Sequence, residues 1–186
     1  MTTFADMVYM LGGVPALTGI PFGPKSKYYF VDTEQGSDSN AGTDLTAPLA
    51  SLAAAEDKCV TNQHDTVFFI ARATPDTITA EIAWDKSYTH LIGIGSQLPG
   101  VGQRCRVVTG GAAAVHDMIT FSGNGCIVKN MQFNNEHATA TATGVAIVTG
   151  HRNYFENVFF MCPTSATAAS YSLKVGGTEN AFHRCT

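Results

Sequence analysis

Residues able to do chemistry are few and scattered along this chain. Fifteen Asp and Glu stand against eleven Lys and Arg. In residues 110–186 the carboxylates are only Asp117, Glu136, Glu156 and Glu179. Cutting a glycosidic bond calls for carboxyl groups that converge on it, one of them able to donate a proton. None of these four repeats in a common column, and no DxD or DD pair occurs among them. One column, Lys129, Glu156 and His183, does line up an ammonium, a carboxylate and an imidazole. It reads either as an acid–base site or as outward residues attracting each other across adjacent strands, and its mixed charge favours the second. Asp32-Thr33-Glu34-Gln35-Gly36-Ser37-Asp38 suggests calcium, but it lacks EF-hand register and has the composition of an acidic turn.

The six histidines (His64, His90, His116, His137, His151, His183) never fall at i, i+4 or as HxH, so spacing supports no metal centre. Nor does the chain contain a GxSxG elbow, a GxGxxG after a strand or a Walker loop. Five cysteines (Cys59, Cys105, Cys126, Cys162, Cys185) form no CxxC pair and read as reduced, buried filler. The expectation is therefore no catalytic residue, no cofactor and no metal ligand. An enzymatic role stays open as the less favoured alternative.

Only 14% of residues are charged, against roughly 25% in ordinary soluble domains. Much surface should then be buried by stacking or by partner chains. The net charge of −4 and the lack of a Lys/Arg cluster argue against nucleic acid as a partner. Residues 4–20 are apolar but interrupted by Asp6, Gly12, Gly13 and Pro15, which predicts neither a signal peptide nor a membrane span.

The elements that must position these residues announce themselves by repetition. Phe121, Val148 and Val175 fall 27 residues apart, and so do Ile119, Ala146 and Leu173. Gly123, Gly150 and Gly177 keep the period, as do Val128, Phe155, Phe182 and Met131, Val158, Cys185. A repeat of this length built from short strand-like pieces predicts a parallel β-helix with one coil per period. Within a coil, Phe155 should face in, Glu156 out, Asn157 should mark a bend, Val158 face in, Phe159 out and Phe160 in. Asn130 and Asn157 share the bend position, where Asn tolerates left-handed backbone, and their side chains are placed to bond along the solenoid; Arg184 would end that ladder. Ala138–Thr143 alternates Ala and Thr and reads as a further small-residue strand or an outer loop.

Two segments precede the coils. Phe4, Met7, Val8 and Leu11 form one apolar face of a short helix capped by Thr3 and stopped by Gly12-Gly13. A helix this short needs a docking surface, in its own domain or on another protein. Residues 13–27 are Pro- and Gly-rich and read as an extended tether. The strand Tyr28–Asp32, the turn-rich loop Gly36–Thr43 and a helix from Pro48, with Leu49, Leu52 and Ala53 as its apolar stripe, would cover the first coil. The domain boundaries are thus 1–27 for arm and tether and 28–186 for the β-helix, with a cap at 28–60 and coils at 61–186. Thr186 falls partway through a strand, so a neighbouring chain or further sequence is expected to cover that end.

Residues Tyr29-Phe30-Val31-Asp32, Gly36-Ser37-Asp38-Ser39-Asn40, Gly42, Pro48-Leu49, Ser51-Leu52 and Ala55, with the coils that follow, resemble the pectate-lyase-like right-handed β-helix superfamily. The resemblance covers roughly residues 28–186 and implies an all-β fold: a right-handed parallel β-helix with an N-terminal capping helix and an extended arm. That superfamily holds polysaccharide lyases and hydrolases as well as non-catalytic phage proteins. The lyases' clustered acidic calcium ligands and basic groove residue have no counterparts here to carry over.

The order arm, tether, cap and solenoid further resembles bacteriophage virion proteins: head decoration or cement proteins, fibres and tailspikes. This resemblance implies a homotrimer in the virion, assembled in the host cytoplasm. Residues 1–27 would attach to the major capsid protein or another virion protein, and host surface polysaccharide is a further possible partner. Outward apolar residues Ile127, Tyr154 and Phe159 would lie between subunits or under local loops. The alternatives are a tailspike-like polysaccharide depolymerase or lyase, and a carbohydrate-binding surface module.

Overall fold

Strand after strand of this chain is short, because the backbone turns a corner before a longer strand can form. The computed structural model describes residue 21 and residues 23–95, 105–110, 115–136, 144–162 and 171–186. The arm face Phe4, Met7, Val8, Leu11 and the Ala138–Thr143 stretch lie outside the described residues.

Fourteen strands and one helix are seen among the described residues. In chain order the strands are β1 (Tyr28–Val31), β2 (Thr66–Ile70), β3 (Asp76–Ile78), β4 (Ile82–Trp84), β5 (His90–Ile94), β6 (Arg106–Thr109) and β7 (Asp117–Phe121). Then follow β8 (Ile127–Lys129), β9 (Gln132–Asn134), β10 (Gly144–Val148), β11 (Tyr154–Glu156), β12 (Phe159–Met161), β13 (Tyr171–Val175) and β14 (Ala181–His183). They form three parallel sheets that the chain visits in rotation. The first runs β1-β2-β5-β8-β11-β14, the second β3-β6-β9-β12 and the third β4-β7-β10-β13. This is a parallel β-helix.

The 27-residue columns are its registers. Ile119, Ala146 and Leu173 are paired neighbours, as are Phe121, Val148 and Val175, and Val128, Phe155 and Phe182. The period is not uniform upstream: the Val128 column is preceded by Val67 and Leu91, spaced more closely and then more widely. Strands β3 and β4 left no clear mark in the sequence, being three residues each.

Inward positions build one core along the solenoid. Phe155, Val158 and Phe160 are buried, and Glu156 and Phe159 are half-exposed on the outer side, following the expected alternation. Phe155 stacks on Phe182 at 4.8 Å between centroids and meets Phe121 edge-on at 5.2 Å. Offset and edge-to-face arrangements such as these add about 0.5–1.5 kcal/mol per pair beyond burial.

Corners are made by residues with left-handed backbone. Asn130, Asn157 and Arg184 have φ of 56°, 54° and 54°, and Asn157 Nδ2 donates to Asn130 Oδ1 at 2.9 Å. At the corner entering the first sheet, His64, Tyr88, Gly125, Arg152 and Glu179 are all left-handed. The next column supplies a second Asn ladder: Cys126 N–H donates to Asn153 Oδ1 at 2.8 Å, and Asn153 N–H to Asn180 Oδ1 at 2.9 Å. These side chains satisfy backbone donors that the corner leaves outside the sheets.

The helix α1 (Leu52–Lys58) closes the N-terminal end, burying Leu52 and Ala55 against β1 and β2. It starts later than Pro48 suggests. Ser51 is the N-cap, extended, with its Oγ accepting from Ala54 N–H. Leu49 instead bridges to Val31 in parallel fashion, and Ala53 points to solvent. A backbone pairing open to Leu49 outweighs the local pull of Pro48 toward helix.

Candidate functional site

The column Lys129, Glu156, His183 stands on the outer face of the first sheet, one residue each on β8, β11 and β14. Lys129 Nζ lies 2.9 Å from Glu156 Oε2, and His183 Nδ1 3.5 Å from Glu156 Oε1. The ammonium and imidazole beside it hold the Glu156 carboxyl below its usual range. A carboxylate held anionic by the Lys129 ammonium is poorly suited to donate a proton, so the column is a ladder of paired polar groups.

Ile127 and Tyr154 are neighbours in the adjacent outer column. Both are half-buried, and Lys129 Nζ sits 5.4 Å above the Tyr154 ring. Phe159 belongs to the second sheet, beside Gln132. The three residues therefore form no single patch: the fold brings two together and places the third on another face.

In the loop after β1, every carboxylate is turned onto a protein donor. Asp32 pairs with the Arg72 guanidinium and accepts from the N–H groups of Glu34 and Gln35. Arg72, followed by the two N–H groups, holds its pKa low against the upward pull of burial. Glu34 accepts from Thr74 N–H at 3.0 Å. Asp38 accepts from Ala50 N–H, Ser51 N–H and Ser51 Oγ at 2.9–3.0 Å. The acidic loop is thus a clamp holding β1 to the cap and to the next coil. Among the described residues no group of three or more His, Cys, Asp or Glu is arranged to hold a metal ion.

Carboxylates do converge at a place the spacing did not reveal. A groove of about 350 Å³ between α1 and β4 is lined by Glu56, Asp57, Glu81, Asp85 and Lys86, with Ile82 and Ala83 among its walls. Burial pushes the Glu56 carboxyl up, opposed by Lys86, whose Nζ donates to Glu56 Oε2 at 3.0 Å and to the Glu56 carbonyl at 2.7 Å. Glu81 accepts from Thr120 Oγ1. A protonatable carboxyl beside a lysine can bind or relay a proton. The signal lay in Glu56-Asp57 on a helix and Glu81 and Asp85 flanking a strand, but only the coil brings these two segments together.

Two histidines meet at the first corner, His90 buried and His64 half-buried. His90 is fully buried; its Nδ1 accepts from Ile127 N–H at 3.2 Å, leaving Nε2–H to donate to His64 Nδ1 at 3.1 Å. Burial, with His64 beside it, brings the His90 pKa down to about 4. The His90 ring thus links the Ile127 backbone to His64 in one chain of hydrogen bonds.

No family model matches this sequence, and no curated protein matches it. Among solved structures it is similar to a pectin methylesterase mutant in complex with a hexasaccharide, at 15% identity and TM-score 0.58, covering 86% of this chain and 48% of that one. It is likewise similar to pectin methylesterase PemA from Erwinia chrysanthemi, at 15% identity and TM-score 0.55, covering 84% of this chain and 48% of the other. The chain spans about half the length of these enzymes. At this identity the likeness shows the parallel β-helix fold alone.

Proposed function

We propose that this chain is a structural module of a bacteriophage particle: a head decoration, cement or fibre-attachment protein, anchored by residues 1–27 and projecting its β-helix as a homotrimer. The observation carrying the reading is how the ionisable residues are spent. Asp32, Asp65 and Glu156 are used to tie the cap to the coils or one coil to the next, and Asp38 fastens the cap loop to the start of its helix. With the Asn ladders and stacked rings, these ties favour a stiff rod over a reactive surface. The virion setting rests on the order of arm, tether, cap and solenoid. It is tested by cryo-EM of the native particle: density placing residues 1–27 on a capsid or tail lattice, with solenoids in threes, is the expected result. A monomer free of any particle would overturn it.

The carboxylates around Glu56 favour a second reading, polysaccharide processing. Its test is the release of new reducing or unsaturated ends from host surface polysaccharide, lost in Glu56→Gln. No release leaves the structural reading standing.

A further inference from the structure

The groove between α1 and β4 has a strand for one wall, and that strand has an open side. Strand β4 is the last of its sheet and pairs only with β7 among the described residues. The Trp84 carbonyl accepts from the N–H groups of Ser122 and Gly123 at 3.0 Å. Backbone groups of successive strand residues point to opposite edges, so the N–H and C=O of Ala83 point away from β7. Ala83 is exposed and lines the groove. At about 3.3 Å per residue, β4 offers an edge about 10 Å long, enough to pair about three residues of an added strand.

Around that edge lie the carboxylates that the rest of the protein does not engage. Every other Asp and Glu among the described residues accepts a hydrogen bond or joins an ion pair, whether in the cap, as Asp38 and Asp44 do, or in the coils, as Asp117 and Glu136 do. Asp57 and Asp85 do neither, and both are exposed on the groove. Glu56 lies deeper, 6% exposed. Its Oε2 takes the Lys86 ammonium at 3.0 Å, while its Oε1 is buried without a hydrogen-bond partner. With Glu81, the groove sets four carboxylates against one ammonium. A chain entering it meets free backbone partners on one side and negative charge around them.

We infer that this groove receives an extended segment of another protein, carrying lysine or arginine at alternate positions and added as a strand to the open edge of β4. Ala83 supplies the backbone donor and acceptor, and Asp57 and Asp85 take the cations. Main-chain bonds give such an addition its affinity, and the alternate side chains give it selectivity. The inference stands apart from both readings above. It needs neither a particle nor a glycan, and it turns on Asp57 and Asp85 rather than on a proton held by Glu56.

The experiment titrates the full 186-residue chain into a fluorescein-labelled hexapeptide of alternating lysine and valine, read by fluorescence anisotropy. A glutamate–valine hexapeptide and the lysine peptide N-methylated at every backbone amide are run beside it. Binding of the lysine peptide alone is the expected result, because N-methylation keeps the charge and removes the N–H donors that a strand needs. Asp57→Asn with Asp85→Asn should weaken binding roughly fivefold or more. Ala83→Pro removes the N–H of the open edge and leaves the β4–β7 pairing in place, and should weaken it roughly threefold or more. Far-UV circular dichroism checks each variant's fold, and the N-methylated peptide keeps the test decisive if Ala83→Pro fails to fold. No binding of the lysine peptide, equal binding of its N-methylated form or of the glutamate peptide, or binding undiminished in the folded variants would overturn the assignment.

Discussion

Two buried titratable residues give opposite pH dependences to one small structure. His90 titrates at about 4, against its ordinary value of 6.5, so the unfolded chain takes up its proton first. Stability from this residue is complete above 6.5 and is lost as pH falls toward 4, about 3 kcal/mol in all. Asp76 is pushed up to about 6 from 3.8 by burial, with Leu52 N–H opposing and the Asp38 charge reinforcing. Its unfolded form ionises first, so its contribution is complete below 3.8 and lost as pH rises to 6, again about 3 kcal/mol. The two slopes nearly cancel in the native protein. Urea unfolding of single variants should separate them: Asp76→Asn exposes a steep loss of stability from pH 6.5 down to 4, whereas His90→Gln leaves stability falling from pH 4 up to 6. Parallel pH profiles for both variants would contradict these shifts. Neither residue was marked by sequence spacing, because their burial follows from where the coils put them.

At the scale of the element, the corners decide how closely coils stack. An added Cβ on Gly150 would lie 2.0 Å from the Gly123 carbonyl oxygen, and one on Gly177 1.9 Å from that of Gly150. Backbone oxygens cannot move aside without breaking the turn of the preceding coil. Gly150→Ala is therefore expected to cost about 4 kcal/mol or prevent folding. Gly176, one residue before Gly177, has nothing within 4 Å of such a Cβ, so Gly176→Ala should change stability by no more than about 0.5 kcal/mol. Thermal and urea unfolding of the pair checks the contrast. Gly123, Gly150 and Gly177 were visible as a column in the sequence, but the reason for glycine there was not. It is a close approach between coils, whereas the bends at Asn130 and Asn157 need left-handed backbone, which the Asn residues themselves declared.

Across the whole molecule, one run of aromatic contacts through the core ties the coils together. Phe155 is fully buried, meets Phe121 edge-on and stacks on Phe182 of the next coil. Phe155→Ala is therefore expected to cost about 3–5 kcal/mol, measured by urea unfolding. A loss below about 1 kcal/mol would mean that the coils hold together without this stack.

The period from Ile119 to Cys185, the in–out alternation of Phe155 to Phe160 and the cap before Thr66 were all legible, because each depends on residues close in sequence or at constant spacing. From these the chain by itself determined a parallel β-helix with corners at Asn130 and Asn157. Tertiary structure alone decided what lies beside what across coils of unequal length. It set His90 above Thr66 and below Ile127, brought Glu56 and Asp57 to Glu81 and Asp85, and separated Phe159 from Ile127 and Tyr154. It also put Tyr88 in a left-handed corner beside Asn124 and His151. The physical reason is that a strand's pleat is fixed by its own residues, whereas register between coils is fixed by backbone pairing, whichever number of residues the connection uses.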